Sequence, residues 1–111
     1  MKRLHSRDMS RLLEDHRHFL HLLRVAKKDQ RKALLRTIDK SQLRALSEIA
    51  HNVIKGTIVL TPEEKVRLKR FKQIINVLGR KSSTRKERLR VLLRGTAAIV
   101  HLLNIVETWK K

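Results

Sequence analysis

The chain has 111 residues and a formal net charge of +18, from 28 Lys or Arg against 10 Asp or Glu. A domain of that length buries about two thirds of the surface its unfolded chain exposes, and 41% hydrophobic content separates it from a disordered polycation. The lack of Cys excludes disulfides and thiolate metal sites, no apolar run reaches the roughly twenty residues of a membrane-spanning helix, and the first residues lack the apolar core of a secretory signal.

Only three Gly and one Pro interrupt the chain, which favours an all-α fold: a compact bundle of five to six short helices, with an intertwined dimer as an open option. We expect a single domain over residues 1–111, comprising an N-terminal helical part (1–28), a basic helical core (29–95) and an apolar C-terminal helix (96–111). Met9, Leu12, Leu13, Phe19, Leu20 and Leu23 fall within about a third of a helical wheel and predict one helix over residues 8–26. His16 lies inside that stripe, where a hydrogen-bonded core histidine or an interface residue is the ordinary explanation. His18 and His21, at i and i+3, share a face that can hold a metal, but no third ligand accompanies them and a solvent-facing pair is the plainer reading. A short helix over 29–37 buries Ala33, Leu34 and Leu35.

Asp39, with Gln42 three residues on, is an N-cap signal. From there Leu43, Leu46, Ala50, Val53 and Ile54 continue one face to Gly56, a C-terminal stop. Residues 57–60 are a β-prone link too short for a sheet. The sharpest local signal is Leu60-Thr61-Pro62-Glu63-Glu64: Thr61 caps the free amides, Pro62 suits the first helical position and Glu64 closes a capping box. A helix over 62–78 follows, with Leu68, Phe71, Ile74, Ile75 and Leu78 on its apolar stripe. Opposite them Lys65, Lys69, Lys72 and Asn76 form a ridge roughly 17 Å long, suited to a phosphate backbone.

A second box, Thr84 with Glu87, starts a helix over 85–94 that buries Leu89, Leu92 and Leu93 and sets Lys86, Arg90 and Arg94 on a separate face. The 79–84 loop joins two basic helices, and its hydroxyls and the amides at the next helix start suit a phosphate. Residues 95–106 carry no formal charge. Twelve helical residues span about 18 Å, short of a roughly 30 Å hydrocarbon core, so a buried terminal helix is expected there.

Charge placement carries the functional reading. Residues 65–94 hold twelve Lys or Arg against one acid, Glu87, and such a field calls for a polyanion, nucleic acid first. Any one of these side chains is ordinarily solvated surface; twelve with a single acid cannot pair internally. The expected phosphate-binding residues are Lys65, Lys69, Arg70, Lys72, Arg80, Lys81, Arg85, Lys86, Arg90 and Arg94. None is marked as a base reader. A helix-turn-helix is disfavoured, since the links 56–61 and 79–84 exceed its three- or four-residue turn. A stacking platform is disfavoured too, because the aromatics are only Phe19, Phe71 and Trp109 and no basic surface interleaves them. Without a nucleophile and base at a known spacing, a glycine-rich loop or paired carboxylates, no enzyme, cofactor or metal is expected.

The run Arg31-Lys32-Ala33-Leu34-Leu35, then 43–52, then Val53-Ile54-Lys55-Gly56-Thr57-Ile58-Val59-Leu60-Thr61-Pro62-Glu63-Glu64-Lys65, resembles the small basic protein of adintoviruses and other polinton-type DNA elements. The likeness continues through Leu68-Lys69-Arg70-Phe71-Lys72 and Lys81-Ser82-Ser83-Thr84-Arg85-Lys86, covering about residues 30–95. It implies a virion core component that associates with the packaged genome, comparable in role to the basic core proteins of adenoviruses, located in the virion or host nucleus, or a domesticated host copy of one. Two functions follow as expectations. The first is a DNA-condensing protein, DNA before RNA, that neutralises phosphates without reading sequence and self-associates through its first and last helices. The second is a helical module whose basic face meets an acidic protein or an anionic membrane, with residues 96–109 as anchor.

Overall fold

Reciprocal caps set the helix starts. Asp39 Oδ1 accepts from Gln42 N at 2.7 Å while Gln42 Oε1 accepts from Asp39 N at 3.0 Å. Thr61 pairs in the same way with Glu64, and Thr84 with Glu87. Each such cap stabilises its helix by about 1 kcal/mol. In the computed structural model, which describes residues 6–109, these starts belong to three of eight helices. In chain order they are α1 (Ser6–Asp15), α2 (Arg17–Val25), α3 (Lys28–Arg36), α4 (Lys40–Lys55), α5 (Pro62–Lys69), α6 (Lys72–Gly79), α7 (Arg85–Arg94) and α8 (Thr96–Trp109). There is no strand among the described residues. Residues 1–5 and 110–111 of the expected domain lie outside them.

The fold is all-α as expected, but the count of five to six helices is corrected to eight because two expected helices are each broken. The 8–26 helix breaks at His16, whose Nδ1 donates to Leu12 O at 3.0 Å, alongside its own amide at 3.2 Å, and whose Nε2 meets Ser41 Oγ at 3.1 Å. The break lets α1 pack on α4 while α2 packs on α8. The 62–78 helix breaks at Arg70 and Phe71, so that α5 reaches α8 while α6 lies along α4 and α7. In both cases apolar residues continue the same face on either side of the break, and the two halves meet different neighbours.

One continuous core joins all eight helices. Met9, Leu13, Leu23, Leu35, Leu78, Leu92 and Ile99 are fully enclosed. Helix α8 lies at its centre, touching α2, α3, α4, α5 and α7, with Ala98, Ile99, Leu102, Leu103, Ile105 and Val106 buried. The apolar faces of α2 and α8 therefore cover one another within the chain. In α3 Leu35 is buried and Leu34 half-buried, whereas Ala33, expected in the core, is exposed. Ile54 likewise stands half out of the core at the end of α4. In the 57–60 link Ile58 plugs the core, its amide bonded to Asn52 O at 3.3 Å, while Val59 is 81% exposed. Gly56 ends α4 in the left-handed conformation at φ 81°, which costs glycine little and other residues more. No single described helix is long and apolar enough to cross a membrane; α7 and α8 are bent by 94° at their junction.

Helix α6 lies with its main chain close against α4 at Gly79. A Cβ built on Gly79 would lie 2.8 Å from His51 N and 2.9 Å from Ala50 C, both main-chain atoms. This approach lets the 80–84 loop rise beside α4 and so creates the groove that holds the candidate site.

Candidate functional site

Helix α4 carries Lys40, Arg44, Glu48, His51 and Lys55 at i, i+4, i+8, i+11 and i+15, one stripe on a 3.6-residue helix. That stripe forms one wall of a groove. The opposite wall comes from the end of α6, the 80–84 loop and the start of α7, which contribute Arg80, Lys81, Arg85 and Arg88. Two wells, of about 630 and 410 Å³, lie end to end and share His51, Gly79 and Lys81 as the saddle between them. The floor is apolar at Leu43 and Ile54, and Ser47 lines the smaller well with its Oγ lacking any hydrogen-bond partner. Seven cations thus face a single carboxylate, Glu48.

Side-chain bonds from both walls tie the second wall down. His51 Nδ1 donates to Gly79 O at 3.1 Å, which places the ring proton on that nitrogen. Arg88 Nη2 donates to Arg80 O at 2.8 Å across the loop, and Arg85 Nη2 to Ile38 O at 2.7 Å, joining α7 to the link before α4. Arg85, expected only as a phosphate ligand, is therefore also a structural tie.

The ten expected cations are exposed, and none forms an ion pair among the described residues. They do not form one array. Lys65, Lys69 and Lys72 do line a common shallow groove of about 230 Å³ with Asn76, over Leu68 and Ile75, although the helix beneath them is broken. Arg80, Lys81 and Arg85 belong to the α4 groove instead. Arg70 belongs to neither groove: its guanidinium carbon sits 5.1 Å from the centre of the Phe71 ring, a cation–π contact. Lys86, Arg90 and Arg94 remain on the exposed side of α7. Sequence reasoning missed Lys40, Arg44, Lys55 and Arg88. Their helical spacing was visible, but Glu48 dilutes the stripe and nothing local shows that the 80–84 loop lies opposite.

The start of α7 carries the expected capping box. Glu87 Oε1 accepts from Thr84 N at 2.7 Å, and this bond, aided by the Thr84 hydroxyl and by Arg80 and Arg90, holds the Glu87 carboxyl below its ordinary range. A carboxylate thus already occupies the positive end of the helix, and a phosphate there would meet it. Asp39 is lowered in the same way, chiefly by the Gln42 amide. His101 packs on Phe71 with ring centres 5.4 Å apart; burial, then the charges of Arg67 and Arg70, push its pKa down. His18 and His21 are exposed, and no group of three or more metal-binding side chains is gathered among the described residues. No protein-family model, curated protein or solved structure matches the chain.

Proposed function

We propose that this protein binds nucleic acid, DNA in the first place, through its phosphates and without reading sequence, and that it condenses the strand it binds. The observation that carries the reading is the set of twelve cations between residues 65 and 94. Eleven of them are exposed, and none pairs with a carboxylate among the described residues. A folded surface that keeps so many like charges unpaired is destabilised by self-repulsion until a polyanion or salt screens it. Three separate cationic places, the Lys65–Lys69–Lys72 groove, the Arg80–Lys81–Arg85 wall and the outer side of α7, give one molecule more than one contact with phosphate, as condensation requires. A virion core or genome-packaging setting, or a domesticated copy of such a protein, agrees with the family resemblance of residues 30–95. The anchor reading is weaker, because the apolar side chains of α8 are buried in the chain's own core.

Gel-shift titration with unrelated DNA duplexes at 50 and 200 mM salt tests the proposal. With about six phosphate contacts the log–log salt slope is near −5, a loss of about a thousandfold over that range on every duplex. Failure to bind heparin or any nucleic acid in dilute buffer refutes it, and anionic vesicle binding that survives neutralising the Lys and Arg side chains would favour the membrane module.

A further inference from the structure

We propose that the groove between α4 and the 80–84 loop is a site for unpaired nucleotides, with phosphates along its cationic rims and a base in the well floored by Leu43 and Ser47. This rests on the phosphate-binding reading above and adds to it the form of nucleic acid that the groove selects.

Three observations point to a single strand. The groove follows α4 from Lys40 to Lys55, about 22 Å at 1.5 Å per residue, the length of about six nucleotides at the 3.4 Å rise of a stacked strand. Both rims are cationic, so a thin polyanion can be neutralised from two sides. The floor, however, is apolar: Leu43 and the largely buried Ser47 line a well of about 410 Å³. Wells of that size hold small ligands. A duplex keeps its bases stacked inside, so they stay out of reach of the floor. An unpaired base can enter and cover Leu43 with its face. His51 at the saddle and the guanidinium plane of Arg44 supply flat surfaces on which unpaired bases stack where Phe, Tyr and Trp are absent.

Lys40 and Arg44 are exposed and lie outside the 65–94 cluster, so neutralising them leaves the duplex-contacting cations of that cluster in place. The experiment measures fluorescence anisotropy of a labelled twelve-residue oligothymidylate and of a twelve-base-pair duplex, against the full chain and its variants in 0.1 M salt. For Lys40→Gln with Arg44→Gln we expect the oligothymidylate affinity to drop about 25-fold and its log–log salt slope to shrink by about 1.4, two lost contacts at 0.7 each, with duplex affinity changed less than about threefold. Equal losses on both probes would overturn the single-strand site. If the unaltered protein binds the duplex but not the oligothymidylate, the groove inference falls and the general reading stands. If it binds neither, both fall.

Discussion

Replacing Gly79 by Ala tests the contact on which the groove depends. The added Cβ would meet two main-chain atoms of α4, at 2.8 and 2.9 Å, and Ile54 Cδ1 at 2.9 Å. Carbon contacts are comfortable from about 3.5 Å, so α6 must withdraw from α4 by roughly 0.6 Å, and main-chain atoms cannot rotate aside as a side-chain tip can. Such overpacking costs about 1–3 kcal/mol. Helix propensity offsets less than about 1 kcal/mol, because Gly79 is the last residue of its helix. A net loss of about 1–2 kcal/mol lowers Tm by roughly 4–9 °C in a chain of this length. Thermal melting followed by circular dichroism, with urea midpoints as a check, measures it. Gly56 is the control, because a Cβ there meets nothing within 4 Å and the difficulty is φ 81° alone. Asn, which tolerates the left-handed conformation, should therefore be mild at position 56 and worse than Ala at position 79. If Gly79→Ala melts at or above the temperature of the unaltered protein, the close crossing of α6 on α4 is wrong, and with it the shape of the groove.

Other substitutions separate structural from phosphate-binding roles. Arg85→Gln breaks the bond to Ile38 O and should cost about 1 kcal/mol as well as weaken DNA binding, whereas Lys86→Gln should weaken binding with Tm unchanged in parallel melts. Thr84→Ala removes the cap of α7 and should cost about 1 kcal/mol, read from urea midpoints. His101 has a folded pKa depressed below 6.5, so the unfolded chain takes up its proton first. Its contribution is present above pH 6.5 and lost as pH falls through the lower folded value; His101→Phe, which keeps a ring against Phe71, should flatten the fall in Tm between pH 7 and 5. Asp39 and Glu87 have pKa values lowered from 3.8 and 4.5. Their contributions are complete above those values and lost in more acid solution, so Asp39→Asn and Glu87→Gln should each make Tm less sensitive to pH below about 4.5.

Local chemistry in the sequence determined a good part of this protein. Asp39, Thr61 and Thr84, each with a partner three residues on, placed three helix starts at the residue, because a capping box needs only a few neighbouring groups to satisfy its free amides. Gly56 marked a helix end for the same reason, and apolar spacing was sufficient to read an all-α fold and the exposure of the 65–94 cations. Tertiary packing decided the rest. His16 and Phe71 sit at breaks that the periodic stripes do not reveal, because apolar residues continue the same face on both sides of each break and the two halves meet different neighbours. The face of α4 bearing Lys40, Arg44 and Lys55 became one wall of a groove only when Gly79 let α6 approach and Arg85 and Arg88 fixed the opposite wall. A contact between residues some thirty positions apart leaves no mark in the local spacing of either helix.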